Sequence, residues 1–393
     1  MYLETNEYKM LTKSLHIITS LSIGGAETML LRLIKHKPDL AKSTIVISLT
    51  DNGEIGRILE SLGASVICLG MHNWSSIFKA LFNLKKIIQN EKPDIIHTWM
   101  YHANILGGIA AFLAKNKNII WSIRRSEFTC GESLSTYMIM RLGAMLSKVI
   151  PKVVVCVAES GLKNHQKYGY KPDNMIVIPN GFDADKLKHD QVIRTEIRKE
   201  LNIYDDEVII GCVGRFHESK GYEILIASSM EVIKLHKKVR YLLIGRDLDQ
   251  RNTILMEWIN KTGFSDHFLL AGEKHNVADY MSAMDIFCLS SITEGFPNVL
   301  GEAMASALPC VATSVGDVEK ITGNNAILVQ PKNKKLLSKG LCEMLNLDDE
   351  KRIKIGLNGR KKIEKEYPIK LICEKYFNLY SLISCGDKNY ENI

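Results

Sequence analysis

The chain has 393 residues, of which 46% are hydrophobic and 24% charged, and its formal net charge is +7. This length predicts two domains, and the composition is typical of a globular protein rather than of a disordered or fibrous one. The positive charge favours phosphate-rich partners, namely a nucleotide, a lipid diphosphate or an anionic membrane surface. The sequence contains no basic stripe interleaved with aromatic residues, so we do not expect nucleic acid as a partner.

The features of the sequence that report on cellular compartment indicate the cytoplasm. The N-terminal residues include Glu4 and Glu7 and lack the basic start and apolar core of a secretory signal. The longest clean apolar run, residues 105–114, has about half the length of a membrane-spanning helix. The nine cysteines are scattered singly without metal-ligand spacing, which fits a reducing cytosol. Four of them lie in apolar strands, where we expect small buried side chains: Cys68, Cys156, Cys212 and Cys288.

The first half of the chain alternates short apolar runs with longer amphipathic ones, which is typical of βα units around a parallel sheet. The predicted strands of this half, the last two completing its sheet, are residues 15–18, 43–49, 65–69, 94–97, 118–123 and 153–157. Predicted helices cover residues 27–35, 76–89 and 103–114, with one more between the second and third strands. Gly24 and Gly25 follow the first strand and open its helix, without the spacing of a dinucleotide fingerprint. We expect them to allow close approach of the backbone to a donor diphosphate or an acceptor; a plain turn is the alternative.

The second half repeats the pattern. Its predicted strands are residues 208–213, 240–244, 268–270, 286–289 and 309–312. The turn-rich stretch 179–185 is the natural domain boundary, and residues 367–383 have the pattern of an amphipathic C-terminal helix. We therefore predict an α/β protein with two Rossmann-like domains built on parallel sheets.

Two cations follow the first strand of the second half. Arg215 and Lys220 lie five residues apart, flanked by Gly214 and Gly221. An Arg fork and a Lys point charge at the carboxyl end of a strand suit the oxygens of a phosphate group. The alternative is a pair of solvated loop cations, and the position before a new helix favours the phosphate interpretation.

Two carboxylates, Glu294 and Glu302, lie eight residues apart after a later apolar strand. Pro297 suits the first turn of a helix, so Glu294 is expected in a strand-to-helix loop and Glu302 in the early turns of that helix. A carboxylate accepts two hydrogen bonds side by side and so suits the vicinal diols of a ribose or pyranose. The alternative is a solvated loop charge and a carboxylate that merely favours an early helical turn.

The Glu294–Glu302 segment resembles the Glu-x7-Glu motif of the family-4 retaining glycosyltransferases, which have the GT-B fold. Further stretches resemble that family in the same chain order, and these are residues 24–27, 178–183, 211–221 and 309–317. The resemblance implies two Rossmann-like domains facing across a cleft. Residues 1–180 would form the acceptor side, residues 181–366 would bind the nucleotide sugar, and residues 367–393 would cross back to the first domain.

The resemblance also implies roles for the site residues. Arg215 and Lys220 would bind the donor diphosphate, and Glu302 would bind the ribose hydroxyls. Glu294 would bind the transferred sugar together with the loop backbone of Gly295, Phe296, Pro297 and Asn298. The reaction would retain the anomeric configuration, with the departing phosphate helping to deprotonate the acceptor.

We expect no metal and no cofactor, because Arg215 and Lys220 supply the charge that a cation would otherwise provide. Two Asp-x-Asp triplets, at residues 183–185 and 247–249, have the form of a metal-binding motif. The first is instead expected to cap a helix, and the second to lie in a polar loop after a strand.

One departure from the family concerns the end of the strand at residues 119–123. Many relatives carry a His there, whereas this chain continues with Arg124 and Arg125. An Arg cannot act as a base near neutral pH, so we expect one of the two to bind an acceptor phosphate or to steady the leaving group. Arg124, directly after the strand, is favoured. His97 closes another strand and is expected either to line the acceptor side or to be a satisfied structural residue.

The stretch Cys130–Lys152 is apolar and basic, and it bears on the nature of the acceptor. A helix of this kind suits a membrane surface, and a helix packed into the domain core is the alternative. The resemblance implies a glycan or lipid-diphosphate-linked oligosaccharide acceptor at the inner face of a bacterial membrane, with a UDP-sugar as donor, in surface polysaccharide assembly. A non-catalytic nucleotide-sugar-binding protein and a GT-B sugar-nucleotide epimerase are the alternative functions.

Overall fold

A computed structural model describes residues 13–71, 76–126, 134–387 and 389–390 of the chain. The chain forms two compact units. The first comprises Met1–Asn180 together with Ile369–Ile393, and the second comprises Gly181–Pro368. The chain therefore leaves the first unit in the turn-rich stretch that was predicted as the domain boundary, and its C-terminal segment belongs to the first unit.

The first unit is built on a parallel sheet of seven strands in the order β3-β2-β1-β4-β5-β6-β7. These strands are β1 (Ser14–Ile18), β2 (Thr44–Ser48), β3 (Ser65–Cys68), β4 (Ile95–Trp99), β5 (Ile119–Ile123), β6 (Val153–Cys156) and β7 (Met175–Val177). The helices between them are α1 (Gly25–His36), α2 (Pro38–Ala41), α3 (Gly53–Ser61), α4 (Ile77–Glu91), α5 (Tyr101–Leu113), α6 (Leu134–Leu146) and α7 (Glu159–Lys167). The C-terminal helix, Ile369–Cys385, belongs to the same unit.

Both faces of this sheet are covered, which explains why its central strands are apolar on both sides. One hydrophobic cluster joins alternate strand residues to α1, α3 and the C-terminal helix. The other joins the opposite strand residues to α4, α5 and α6. Among the described helices, none is long and apolar enough to span a membrane.

The second unit is built on a parallel sheet of six strands in the order β10-β9-β8-β11-β12-β13. The strands are β8 (Val208–Val213), β9 (Val239–Ile244), β10 (Phe268–Gly272), β11 (Ile286–Leu289), β12 (Cys310–Thr313) and β13 (Ala326–Val329). The helices are α8 (Gln191–Glu200), α9 (Tyr222–Leu235), α10 (Thr253–Thr262), α11 (Val277–Ser282), α12 (Asn298–Ala305), α13 (Val318–Thr322), α14 (Lys334–Asn346) and α15 (Asp349–Glu366). The predicted fold class, two parallel-sheet α/β units, is confirmed.

Five details of the sequence prediction were wrong. The strand at residues 153–157 does not complete the first sheet, because β7 adds a further edge strand, and β13 was likewise missed at the edge of the second sheet. β4 does not end at His97 but continues to Trp99. Cys68 is exposed rather than buried, because it lies on the edge strand β3. Asp183 lies in a turn and caps no helix.

Each sheet reverses its strand order at one point, and this is where open α/β sheets bind their ligands. In the first unit the reversal lies between β1 and β4, and in the second it lies between β8 and β11. The loops that leave the carboxyl ends of these strands therefore define one candidate crevice in each unit.

Candidate functional site

The crevice of the second unit holds the predicted donor-site residues. Lys220, after β8, and Glu294, after β11, form an ion pair with 2.6 Å between Nζ and Oε1. The two side chains are 22% and 12% exposed, so solvent screens this pair only weakly. Ser291 donates a second hydrogen bond to the same carboxylate oxygen at 2.7 Å. The structure thus brings together a cation and a carboxylate that lie 74 residues apart in the sequence.

Hydrogen bonds between the two loops fix the position of this pair. The hydroxyl of Ser290 donates to the carbonyl of Lys220 at 2.9 Å. The backbone N–H of Ile292 donates to the carbonyl of Ser219 at 2.7 Å. Thr313, at the end of β12, donates to the carbonyl of Ser291 at 2.6 Å. Hydrogen bonds therefore join the carboxyl ends of β8, β11 and β12 into one rigid frame around the Lys220–Glu294 pair.

Two glycines in this frame cannot be replaced without strain. Gly221 has φ +66°, and a Cβ there would lie 2.2 Å from the carbonyl oxygen of Ser290. Gly316 has φ +56°, and its Cβ would lie 2.3 Å from the carbonyl oxygen of Glu294. A left-handed conformation and direct backbone contact both require glycine. Gly221 is also the C-cap of the short helical turn Glu218–Lys220 and the N-cap of α9, so it links Lys220 to the helix.

Arg215, the other predicted cation, comes directly after Gly214, the residue that follows β8. Its side chain is exposed. Within the described residues, its side chain forms no hydrogen bond and no ion pair. Its backbone is nevertheless held in place, because the neighbouring Phe216 N–H donates to the carbonyl of Arg246 at 2.8 Å. The guanidinium is therefore available to an anionic ligand on the edge of the sheet where Lys220 lies.

The loop between β11 and α12 is anchored by its aromatic residue. Phe296 is buried, and its ring lies 6.1 Å from that of Phe182 and 5.7 Å from that of Tyr367. Pro297 is the N-cap residue of α12, one position before the predicted first turn. The first N–H groups of a helix have no partner within it, so Asn298 and its neighbours present the positive end of α12 near the Gly295 turn. Glu302 is the fifth residue of this helix and is half-buried.

The crevice of the first unit contains the predicted glycine pair. Gly24 is the N-cap of α1 and Gly25 its first residue. A Cβ on Gly24 would lie 2.3 Å from Oε2 of Glu27, so this carboxylate occupies the space that a larger residue would need. Burial raises the pKa of the Glu27 carboxyl, while its own backbone N–H and the charge of Arg124 oppose that rise.

Arg124, directly after β5, is held by three contacts within the first unit. Nη1 donates to the hydroxyl of Tyr376 at 3.1 Å, and Nη2 donates to Oδ1 of Asn180. The guanidinium lies over the ring of Trp99, 5.7 Å from its centroid. Arg125 is half-buried. These contacts give the Arg124 guanidinium a defined position in the first unit.

His97 is enclosed in the first unit. It is 0% exposed, and its two ring nitrogens lie 2.7 Å from the hydroxyls of Tyr380 and Ser122. Burial holds its pKa well below the ordinary value, with smaller contributions from His16 and Arg124. The structure therefore favours the structural interpretation of His97 over direct contact with an acceptor.

The Asp-x-Asp triplets are engaged with neighbouring cations. Asp183 and Asp185 each pair with a lysine three residues along the chain. Helix α8 is capped by Asp190 instead, whose carboxylate accepts two backbone N–H bonds. Asp249 pairs with Arg251 at 2.7 Å. In the part of the chain that the structure describes, no group of three or more His, Cys, Asp or Glu side chains could hold a metal ion.

The described part of the predicted membrane stretch Cys130–Lys152 exposes apolar residues on one side. Residues 127–133, which include Glu127 and Cys130, lie outside the described residues. Helix α6 buries Met140 and Ala144 in the core, as the core-packing interpretation predicts. Its other side exposes apolar residues, as the membrane-surface interpretation predicts. The exposed apolar residues of α6 and the segment after it are Tyr137, Met138, Leu142, Met145 and Val149.

A cavity of about 610 Å³ lies at the amino ends of the strands of the second sheet, opposite the Lys220–Glu294 site. Its lining includes Val208, Asp285 and Pro309, at the amino ends of β8, β11 and β12. Arg194 and Asp285 in this lining pair with each other at 2.6 Å. The cavity is therefore separate from the Lys220–Glu294 site, which lies at the carboxyl ends of the strands.

Sequence reasoning missed several residues that shape the first-unit crevice. Tyr376 and Tyr380 reach Arg124 and His97 from the C-terminal helix. Their spacing of four places both on one helical face, and this was the available signal. The partner of that face was not visible, because it lies about 250 residues earlier in the chain.

Two family profiles match consecutive parts of the chain. "Glycosyltransferase Family 4" matches residues 23–186, and "Glycosyl transferases group 1" matches residues 193–362. The capsular polysaccharide biosynthesis glycosyltransferase CapM of Staphylococcus aureus is 25% identical over 322 residues, 78% of this chain and 81% of that protein. An Escherichia coli UDP-Gal:α-D-GlcNAc-diphosphoundecaprenol α-1,3-galactosyltransferase is 24% identical over 254 residues, 64% of each protein.

The fold is shared with solved structures along nearly the whole chain. HepE of Anabaena, solved in complex with UDP and glucose, superposes with a TM-score of 0.82 at 21% identity. The match covers 94% of this chain and 99% of HepE. At this identity the likeness shows the fold.

Proposed function

Because the chain belongs to the family-4 glycosyltransferases of the GT-B fold, we propose that it transfers a sugar from a UDP-sugar to a lipid-linked oligosaccharide or glycan during assembly of a bacterial surface polysaccharide. The observation that carries this proposal is the Lys220–Glu294 pair, held at the strand-order reversal of the second sheet. A cation and a carboxylate fixed side by side suit a diphosphate joined to a sugar.

The choice of UDP is supported by two relatives. HepE was solved in complex with UDP, and the E. coli relative is named for a UDP-Gal donor. In the proposed binding mode, Arg215 and Lys220 contact the diphosphate and Glu302 accepts hydrogen bonds from the ribose. The sugar binds beside Glu294, against the backbone of residues 295–298.

The proposed reaction retains the anomeric configuration through an oxocarbenium-like transition state. Negative charge grows on the departing phosphate, and Arg215 and Lys220 stabilise it. That phosphate accepts the proton of the attacking hydroxyl, so no further side chain needs to act as a base. Catalysis then rests on positioning and charge stabilisation rather than on a metal.

The acceptor side is proposed to lie in the first-unit crevice. In this proposal the backbone at Gly24 and Gly25, where α1 begins, approaches the ligand closely, and Arg124 or Arg125 binds an acceptor phosphate or the leaving group. The E. coli relative is named for a diphosphoundecaprenol-linked acceptor, which carries such phosphates. A lipid-linked acceptor also fits contact with an anionic membrane at the inner face of the cell membrane, through the exposed apolar side of α6.

Thermal unfolding in the presence of nucleotides tests the donor site. A ligand at 100 times its Kd adds about 2.7 kcal/mol of stability, so UDP or one UDP-sugar should raise the unfolding midpoint of the wild type. GDP and ADP should raise it much less. The rise should persist in EDTA, because Arg215 and Lys220 take the place of a metal.

Arg215→Ala is the matched variant, since its exposed side chain contributes little to folding. We expect this variant to unfold at the wild-type midpoint without ligand and to lose most of the response to UDP. A wild type that none of the nucleotides stabilises, or an Arg215→Ala protein that responds in full, contradicts the proposed donor site.

A further inference from the structure

The C-terminal helix reaches the strand ends of the first unit with two tyrosines. Tyr376 is 0% exposed and accepts a hydrogen bond from Nη1 of Arg124 at 3.1 Å. Tyr380, one turn later, is 5% exposed, and its hydroxyl lies 2.7 Å from Nδ1 of His97. The same helical face thus contacts two different groups, the permanently charged guanidinium of Arg124 and the imidazole ring of His97.

The helix is a rigid base for these hydroxyls. Its buried residues pack into the same hydrophobic cluster as α1 and α3. These residues are Ile372, Cys373, Tyr376, Leu379, Tyr380 and Ile383. A hydroxyl on such a helix holds its partner more firmly than one on a loop would, since neither the backbone nor the ring can move freely.

Arg124 retains binding capacity beyond these contacts. A guanidinium has five N–H donors, and within the described residues only two of them are used, by Tyr376 and Asn180. The side chain is half-buried, and among the described residues it forms no ion pair, although the Glu27 carboxyl lies close enough to feel its charge. A half-buried permanent charge without a direct ion pair favours binding of a further anion, and a planar guanidinium fork suits phosphate.

We propose that Tyr376 is a positioning residue that orients Arg124, with Asn180 and the Trp99 ring, so that the remaining donors of the guanidinium bind an anionic phosphate group of a substrate. This inference rests on the proposed function, because it gives Arg124 its ligand class. It makes the C-terminal helix part of the binding site of the first unit, although Tyr376 itself touches no substrate.

The test measures pyrophosphate binding by calorimetry with the full chain. All variants carry Arg215→Ala and Lys220→Ala, so that the second-unit cations no longer bind the probe. Arg124→Ala should abolish the remaining binding or weaken it strongly. Tyr376→Phe removes only the hydroxyl and should weaken binding by roughly tenfold, the effect of losing one hydrogen bond to a charged group.

Tyr380→Phe is the control, since it removes the hydroxyl of another buried tyrosine from the same helix, one that makes no hydrogen bond to Arg124. We expect it to change pyrophosphate affinity by less than about twofold. Adding Tyr376→Phe to Arg124→Ala should change affinity no further, because Tyr376 acts through Arg124. Asn180→Ala should behave like Tyr376→Phe and serves as the second variant if the tyrosine variant fails to fold.

Three results would overturn the inference. These are an Arg124→Ala protein with unchanged affinity, equal losses in the two tyrosine variants, and a Tyr376→Phe loss that persists in the Arg124→Ala background. Failure of the proposed function looks different, because UDP would then leave the unfolding midpoint of the wild type unchanged. A wild type that binds UDP, with pyrophosphate affinity indifferent to Tyr376, rejects only the positioning role.

Discussion

Lys220 and Arg215 differ at the level of single side chains, although both follow the same strand. Lys220 is already neutralised by Glu294 at 2.6 Å, whereas Arg215 has no side-chain partner among the described residues. A bound diphosphate would contact Lys220 while the Glu294 carboxylate remains paired with that lysine. The second cation would meet the diphosphate from solvent. In the proposed binding mode, Lys220 is therefore positioned before the donor binds, and Arg215 becomes ordered on contact with it.

Removing either cation should slow sugar transfer at saturating donor. We expect Arg215→Ala and Lys220→Ala each to lower kcat by about 10²-fold, because each stabilises charge that grows on the leaving phosphate. The measurement is steady-state transfer or donor turnover with the UDP-sugar that stabilises the wild type. Arg251→Ala, an exposed arginine after β9, is the control and should retain wild-type kcat. Unchanged turnover in both site variants would contradict the leaving-group role.

At the scale of elements, helix α6 carries two different faces. One face packs Met140 and Ala144 into the core. On the other, Met138, Leu142 and Met145 recur at helical spacing and are between 40% and 69% exposed. The surrounding residues 95–158 hold seven Lys or Arg and only two Asp or Glu, so this part of the chain carries much of the positive charge. An apolar stripe in basic surroundings suits an anionic lipid surface.

Flotation with phosphatidylglycerol vesicles tests the lipid surface. We expect the wild type to float with the vesicles, and a Met138→Glu/Met145→Glu variant to remain in solution, because charged groups cannot enter the apolar boundary. Val192→Glu/Ile254→Glu, at comparably exposed positions of the second unit, is the control and should float like the wild type. Neutral vesicles should bind less protein than anionic ones. A wild type that never floats counts against the membrane proposal.

At the scale of the whole molecule, three buried histidines couple stability to pH. Burial lowers the pKa of His16 to about 3 and that of His165 to about 4. Burial also holds the pKa of His97 well below the ordinary value. Below pH ~6.5 the unfolded chain binds protons that the folded chain does not, so stability is complete above that pH and falls on acidification.

Urea unfolding between about pH 7 and pH 5 should reveal this coupling, with a loss of up to about 1.4 kcal/mol per pH unit for each histidine. His16→Asn should reduce the slope by the share of one histidine. His275→Asn, at an exposed position, is the control and should leave the slope unchanged. A free energy of unfolding that stays constant or rises on acidification would contradict the prediction.

Local sequence signals determined the parallel-sheet units and the family. Apolar runs of strand length between amphipathic helices predicted both sheets, since hydrophobic periodicity follows directly from burial. β5 and β8 begin and end close to their predicted positions. The same signal failed at the sheet edges, because β7 and β13 are short and only partly buried. A half-exposed strand needs fewer apolar residues, so it leaves a weaker pattern.

Tertiary structure alone decided which site residues meet. The sequence singled out Lys220 and Glu294, but only the pairing of β8 with β11 brings the two side chains to 2.6 Å. Arg124 was recognised by its place after a strand, whereas its partners Tyr376 and Asn180 come from distant segments. The sequence also left His97 open between two roles, and its enclosure by Tyr380 and Ser122 favours the structural one. The chemistry of a side chain depends only on its residue type, which the sequence states directly. The contacts that orient the side chain depend on the strand order and on where the C-terminal helix packs.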